Sequence, residues 1–409
     1  MNRRRWLWTA SGAIAITAVI VVLLVAGSSS RRPTPPPTRP TTPTTPTAPT
    51  TAAPPPPPPP PQRQARARPA PTTEVFGASV NLLFNPPGLA AHEITAQLDG
   101  LKAAGASTAR SDALWEASEP VAPVDGVHNY VWTFDDRIAG DLARHHLRWL
   151  VILDYTAPWA QSVTGQDHSP PRSDADYAAY AGAFATRYGA NGTFWRAHPG
   201  LPSEPVDTYE IWNEPDTPVF WVPTPDAARY ADLYLAARAA IDAAQPAARV
   251  IVGGLAKPTM FLPAMIFARP QLRGHIDGVG VHPYGGNPFD VLEDIKTARH
   301  TLTSLGMARV PVYVTEFGWS TNPPGTPHFA STQIRPGYIS ATLAALGHLD
   351  CGVAAGVVYT WYSPQQNPAD AEQWFGLSGP VAAATPSTQA LALGVRRANA
   401  QGQTLRLCR

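Results

Sequence analysis

From residue 74 onward, short apolar runs alternate with longer segments whose apolar residues recur every three or four positions. Eight of the short runs read as strands: "EVFGASVNL" (74–82), "STARSDALW" (107–115), "RWLVILDY" (148–155), "VDTYEIWNE" (206–214), "RVIVGGLA" (249–256), "IDGVGVHPY" (276–284), "VPVYVTEFGW" (310–319) and "AAGVVYTWYS" (354–363). Between the first two, "AHEITAQLDGLKAAG" (91–105) puts Ile94, Leu98 and Leu101 on one helical face. Helices are likewise expected over 135–146, 173–189, 224–244, 259–268, 289–306, 334–350 and 385–400. Ser173-Asp174 supplies an N-cap signal, and Thr224-Pro225-Asp226 offers a cap with proline at the first helical position.

Runs such as "LVILDY" and "RVIVGG" have no polar alternation, as expected of parallel strands buried on both faces. Eight strands and eight helices in strict alternation predict an α/β fold, a (β/α)8 TIM barrel, over residues 74–409. The structural rival is a doubly wound open sheet. That fold wants a glycine-rich phosphate turn after an early strand, and the sequence has none.

The chain before residue 74 is different material. Residues 6–27, "WLWTASGAIAITAVIVVLLVAG", carry no charge and follow Arg3, Arg4 and Arg5. About 20 apolar residues suffice to cross a bilayer, and the arginines predict a cytoplasmic N-terminus. The segment is read as a transmembrane signal-anchor, with a cleavable signal peptide as the alternative. Either way the remainder is expected to be exported: membrane-held with an extracellular domain, or secreted if cleaved. Residues 28–73 are almost wholly Ser, Pro, Thr, Arg, Ala and Gln, with 18 of the 47 prolines. Such composition cannot bury a core and reads as a disordered, extended linker.

Charge divides at the same place. Residues 1–73 hold nine arginines and no acidic residue, so the rest of the chain has 22 basic and 30 acidic residues. The overall +1 therefore hides a domain of net charge −8. Nucleic-acid binders need a basic face, so no nucleic-acid partner is expected. The domain is expected to be monomeric.

In a (β/α)8 barrel, polar residues at the C-terminal ends of strands are the ones placed for catalysis. Glu214 ends the fourth run and Glu316 lies near the end of the seventh. Because Pro215 follows it, Glu214 is expected in extended backbone at the lip of the sheet. Strands four and seven lie three-eighths of a turn apart, so their Cα atoms are separated by about 14 Å across the mouth. Two inward glutamates reaching about 4 Å each leave roughly 5–6 Å, near the carboxylate separation of retaining glycosidases. Each glutamate alone would read as a structural ion-pair partner; the pair in these contexts does not.

"WNEP" and "TEFGW" on those strands resemble clan A glycoside hydrolases, with families 39 and 5 the nearest in appearance. The resemblance runs from Phe76 to about Leu393. It implies a retaining glycosidase that uses double displacement on an oligo- or polysaccharide, with Glu214 as acid/base and Glu316 as nucleophile. It also implies that Asn213 binds the sugar 2-hydroxyl, that Arg110 supports the nucleophile, that His282 and Tyr284 of "VHPY" line the site, and that Trp361 is the strand-eight aromatic. No cofactor or metal is expected, since no second His stands at metal spacing from His282.

Aromatic residues in the expected mouth loops, Trp115, Tyr155, Trp159, Trp221, Trp319, Trp361 and Trp374, suit a saccharide cleft, because sugar C–H faces pack on rings. Trp159 and Trp319 are candidates for substrate contact. Asp154 could bond a sugar hydroxyl or cap the following loop. A non-catalytic carbohydrate-binding barrel and a transglycosylase using the same glutamates remain open as alternatives. The two cysteines, Cys351 and Cys408, follow neighbouring helices at the bottom of the barrel and are expected to form a disulfide.

Overall fold

The structure, a computed structural model, describes residues 75–86 and 88–409. The expected membrane segment at 6–27 and the linker at 28–73 lie outside the described residues. Among the described residues, no helix is long and apolar enough to cross a membrane.

Eight parallel strands close into a barrel in sequence order. They are β1 Val75–Ser79, β2 Thr108–Leu114, β3 Arg148–Asp154, β4 Thr208–Ile211, β5 Arg249–Leu255, β6 Gly278–Val281, β7 Val312–Phe317 and β8 Val353–Val358. Pairing of β8 back to β1 completes the closure. In chain order the helices are α1 Asn81–Phe84, α2 Ala91–Ala103, α3 Trp115–Ser118, α4 Thr133–Arg144, α5 Asp174–Tyr188, α6 Thr193–Ala197, α7 Ala227–Ala244, α8 Pro258–Ala268, α9 Pro288–Ser304, α10 Arg335–Leu346 and α11 Pro386–Ala398. Three of these, α1, α3 and α6, are single turns in the connections; the other eight are the barrel's outer ring.

Seven strands fall within their predicted runs and are shorter than them; β8 begins one residue earlier. Those surplus residues that follow the strands leave the ladder at its C-terminal ends and build the mouth. Ser173 caps α5, its hydroxyl accepting from the Asp176 N–H at 3.3 Å. The expected start of the next helix at residue 224 is not observed. Asp226 caps α7 instead, its carboxylate accepting from the N–H groups of Ala228 and Arg229 at 3.0 Å each. Thr224 and Pro225 precede the helix.

The main core lies between strands and helices, where Ile94, Leu98, Ile138, Tyr177, Tyr230, Leu302 and Leu343 are fully buried. A second, smaller cluster consists only of strand residues, Leu150, Ile251, Tyr313, Ala354, Ala355 and Val357. Side chains two apart on a strand share a face, so Tyr313 stands below Thr315.

Asp135, in the first turn of α4, is fully buried and accepts from the Ser118 hydroxyl at 2.6 Å. Its other oxygen has no partner. Burial pushes its carboxyl up to about 7. The folded value exceeds the unfolded one of about 3.9. Its contribution is therefore best below that lower value and is lost as pH rises toward 7. Asp135→Asn should remove this dependence and raise stability at pH 8 by on the order of 2–4 kcal/mol. Urea unfolding of both proteins at pH 5 and pH 8 checks it; equal pH slopes would contradict it.

Cys351, just before β8, is bonded to Cys408 beyond α11, with Cα atoms 5.2 Å apart and a sequence separation of 57. This is the expected pairing. The C-terminal segment is also held by the Asp350 carboxylate, which accepts from the N–H groups of Leu407 and Cys408 at 2.8 Å each. Closing a loop of this length constrains the unfolded chain by about 4 kcal/mol in the chain-entropy model. Reduction should lower the melting temperature and leave the mouth, at the opposite end of the strands, unchanged; a reduced protein with an unaltered melting curve would contradict this.

Candidate active site

The barrel interior carries a charged layer above its apolar floor. Arg110 on β2, Glu210 on β4 and Thr315 on β7 are all fully buried. Above them, at the strand ends, stand Asn213, Glu214, His282 and Glu316. A regular β7 would turn Thr315 and Glu316 to opposite faces. Its pairing with β8 shifts register between Val314 and Phe317, an irregularity that re-aims side chains, and both residues face the site.

Glu214 does not have the expected extended backbone. Its φ is 42°, and that of Trp212 is 66°. Both lie in the left-handed region, which is costly for residues other than glycine. The turn is fixed on both sides: the Trp212 indole donates to the Phe220 carbonyl at 2.6 Å, and the Glu214 N–H donates to the Gly254 carbonyl at 3.0 Å. The paired glycines of β5 follow from the same crowding. A Cβ on Gly253 would lie 2.1 Å from the Trp212 carbonyl oxygen, and one on Gly254 would lie 1.9 Å from His282 Nε2.

Arg110 is the hub. Its Nε donates to Glu210 Oε2 at 2.7 Å, its Nη1 to Glu316 Oε1 at 2.5 Å and its Nη2 to Asn213 Oδ1 at 2.9 Å. Burial disfavours this cation, but Glu210 and Glu316 outweigh burial and raise its pKa. The second oxygen of Glu316 accepts from the Tyr284 hydroxyl at 2.7 Å. Burial alone would raise the Glu316 carboxyl. His282, Arg110 and the Tyr284 hydroxyl together hold it below its ordinary value, so it is a carboxylate at neutral pH. Tyr284 is pushed up by burial and by Glu316, and stays a hydroxyl donor.

Glu214 faces Glu316 with a different partner. Its Oε1 lies 2.7 Å from His282 Nδ1, which is itself 3.6 Å from Glu316 Oε2. One donor atom from each of Glu214, His282 and Glu316 lies within 4.8 Å of the others. Such a trio could ligate a divalent ion in principle. Both Glu316 oxygens, however, already accept from Arg110 and Tyr284, and a guanidinium beside the site opposes a second cation.

The remaining candidates divide. Trp159 is half-buried in the β3 loop, edge-on to Trp115, with its N–H on the Glu119 carbonyl at 2.9 Å. Asp154 is fully buried and neither carboxylate oxygen has a partner. Burial, reinforced by Asp112, raises its pKa well above the ordinary range.

Trp361 does not line the mouth. It is 2% exposed, packs outside the barrel against Gly100 of α2, and donates its N–H to Gln97 at 3.0 Å. A buried indole needs such a partner, and α2 supplies it. The strand-eight aromatic at the mouth is Tyr359, immediately after β8, whose ring lies 6.4 Å from that of Tyr284 and whose hydroxyl donates to Glu372 at 3.0 Å. Trp319 is also fully buried, packed on Phe317 and Tyr338, with its N–H on the Gly285 carbonyl at 2.9 Å. It supports the Tyr284 loop from behind. Trp115 and Trp221 are core residues.

Sequence reasoning missed Glu210, Thr315, Tyr359 and Asp216. The Asp216 carboxylate accepts from the Ala256 and Lys257 N–H groups at 3.2 and 2.5 Å, tying the β4 turn to the loop after β5. A signal existed for Glu210: a carboxylate four residues before Glu214, inside an otherwise apolar strand.

No protein-family model matches the chain, and no curated protein matches it in sequence. Solved structures do match in fold. The barrel is similar to a family 39 glycoside hydrolase from the gut symbiont Bacteroides cellulosilyticus WH2, at 18% identity and a TM-score of 0.57, over 79% of this chain and 64% of that one. The chain thus spans less than two thirds of that protein's length. It is similar to a monomeric β-xylosidase from Caulobacter crescentus CB15 at 21% identity and a TM-score of 0.61, over 80% of this chain and 69% of that one. A GH5_18 protein from Bifidobacterium longum subsp. longum ATCC 55813, in complex with Manb1-4GlcNAc, matches at 13% identity and a TM-score of 0.58, over 81% of this chain and 80% of that one.

Proposed function

We propose that this protein is a retaining glycoside hydrolase acting on an oligo- or polysaccharide, with Glu316 as nucleophile and Glu214 as acid/base. The observation that carries the reading is the pair of facing glutamates with unlike partners. Glu316 is held as a carboxylate by Arg110 and Tyr284. Glu214 sits against an imidazole with which it can share a proton. Two carboxyls about 5–5.5 Å apart, one ionised and one able to carry a proton, are what double displacement requires.

In the first step a Glu316 oxygen attacks the anomeric carbon. The bond to the leaving oxygen breaks as that oxygen takes the proton of Glu214. In the second step Glu214 removes a proton from water, whose oxygen displaces Glu316 from the same carbon. Asn213, its Oδ1 fixed by Arg110, turns its N–H₂ toward the sugar 2-hydroxyl. Tyr155, Trp159, Tyr284 and Tyr359 give ring faces for sugar C–H groups. Asp154, fully buried with both oxygens closed to solvent, is not placed in contact with a sugar. Similarity to family 39 and family 5 glycosidase structures supports this reading.

We place the catalytic domain outside the cytoplasm, held by residues 6–27 or released if they are cleaved; protease treatment of intact cells tests this. Activity is tested by turnover of aryl glycosides and polysaccharides, with sizing of products. Glu316→Gln is the inactive control, and EDTA should leave the rate unchanged. Carbohydrate binding without turnover by the wild type would favour a binding barrel instead.

A further inference from the structure

Glu214 is joined to the buried charged layer by an unbroken row of hydrogen bonds. His282 Nδ1 lies 2.7 Å from Glu214 Oε1, and the other ring nitrogen, Nε2, lies 3.1 Å from Thr315 Oγ1. The Thr315 hydroxyl lies 3.1 Å from Glu210 Oε1, which also accepts from the Gly254 N–H at 2.7 Å. Glu210 Oε2 accepts from Arg110 at 2.7 Å. Thr315 and Glu210 are fully buried, and the His282 side chain is closed to solvent.

Donor and acceptor rules leave one arrangement of hydrogens. Glu210 is paired with Arg110 and is surrounded by N–H donors, so it only accepts. The Thr315 hydrogen must then point at Glu210. Its lone pair remains for His282, so Nε2 carries a hydrogen. The 2.7 Å contact at Nδ1 needs one more hydrogen, shared between Nδ1 and Glu214.

We propose that Thr315, aligned by Glu210, is a positioning residue that fixes His282 as the Nε2–H tautomer, so that the Glu214–His282 pair holds the single proton given to the leaving group. The opposite tautomer would place an Nδ1–H on Glu214 and favour a carboxylate that cannot act as the acid. The inference rests on the roles proposed above for Glu214 and Glu316. Other groups also face the pair: Glu316 and Arg110 act on His282, and Asp216, Tyr155 and Glu372 lie within electrostatic reach of Glu214. None of them touches Nε2, so the tautomer is set by Thr315. Burial would lower the His282 pKa, but the two glutamates outweigh it and raise it.

Thr315→Val keeps the shape and removes the hydroxyl; Thr315→Ser keeps the hydroxyl. In Thr315→Val, kcat/KM on substrates with poor leaving groups should fall about 10- to 100-fold. The loss should shrink as the leaving group improves, and the basic limb of the pH profile should move to lower pH. Thr315→Ser should restore both. Nitrogen-15 spectra of histidine-labelled wild type should show His282 protonated at Nε2, with that signature lost in Thr315→Val. A wild-type His282 with unprotonated Nε2, or a Thr315→Val enzyme with unmoved basic limb and no leaving-group dependence, would overturn the proposal. Should the wild type turn over no glycoside, the functional reading falls, and the imidazole spectrum alone decides the tautomer.

Discussion

Glu316→Ala is expected to abolish turnover, by on the order of 10⁵-fold or more, while the protein stays folded. Removing a nucleophile removes the covalent route altogether. The folded state should tolerate the change because Glu316 lies at the mouth, its side chain 12% exposed, where water can solvate the freed Arg110 group. Glu214→Ala should behave differently. It leaves the proposed nucleophile, Glu316, in place, so the first step should persist with leaving groups that need no proton. The loss should be about 10²- to 10⁴-fold with poor leaving groups and much smaller with activated aryl glycosides. Steady-state kinetics on a leaving-group series, with circular dichroism as the folding control, checks both. Near-wild-type activity in Glu316→Ala would remove this residue from the chemistry.

Gly254→Ala should be nearly as damaging, although Gly254 touches no substrate. A methyl group there would fall 1.9 Å from His282 Nε2, far inside van der Waals contact. The imidazole must leave its place between Thr315 and Glu214, and the proposed acid/base loses its partner. Overpacking costs about 1–3 kcal/mol of stability, which a protein of this size should survive. The expected result is a folded enzyme with kcat reduced about 10²-fold or more on poor leaving groups. A folded Gly254→Ala protein with wild-type kcat would show that His282 does not set the competence of Glu214.

The barrel and its two glutamates were legible because their signals are local. Doubly buried strands read as apolar runs, and "WNEP" and "TEFGW" stand at the ends of two of them. What was not legible depends on register. Thr315 sits one residue before Glu316, and strict alternation would send one of them outward; the β7 irregularity that brings both inward has no composition of its own. Tyr359 and Trp361 are two aromatics at the end of one strand. Only the packing of Trp361 on Gln97 and Gly100 decides which of them is left at the mouth. The backbone of Glu214 departs from the sequence expectation for a related reason. The preference imposed by Pro215 yields to a turn that the Gly254 carbonyl and the Trp212 indole hold in place.

The measurement that tests the central claim most directly is the configuration of the first-formed sugar, followed by proton NMR before mutarotation, on whichever substrate the activity screen identifies. Two displacements at one carbon, first by Glu316 and then by water, predict a product with the anomeric configuration of the substrate. A first-formed product of inverted configuration would contradict the account: water would then be the nucleophile, and Glu316 its base.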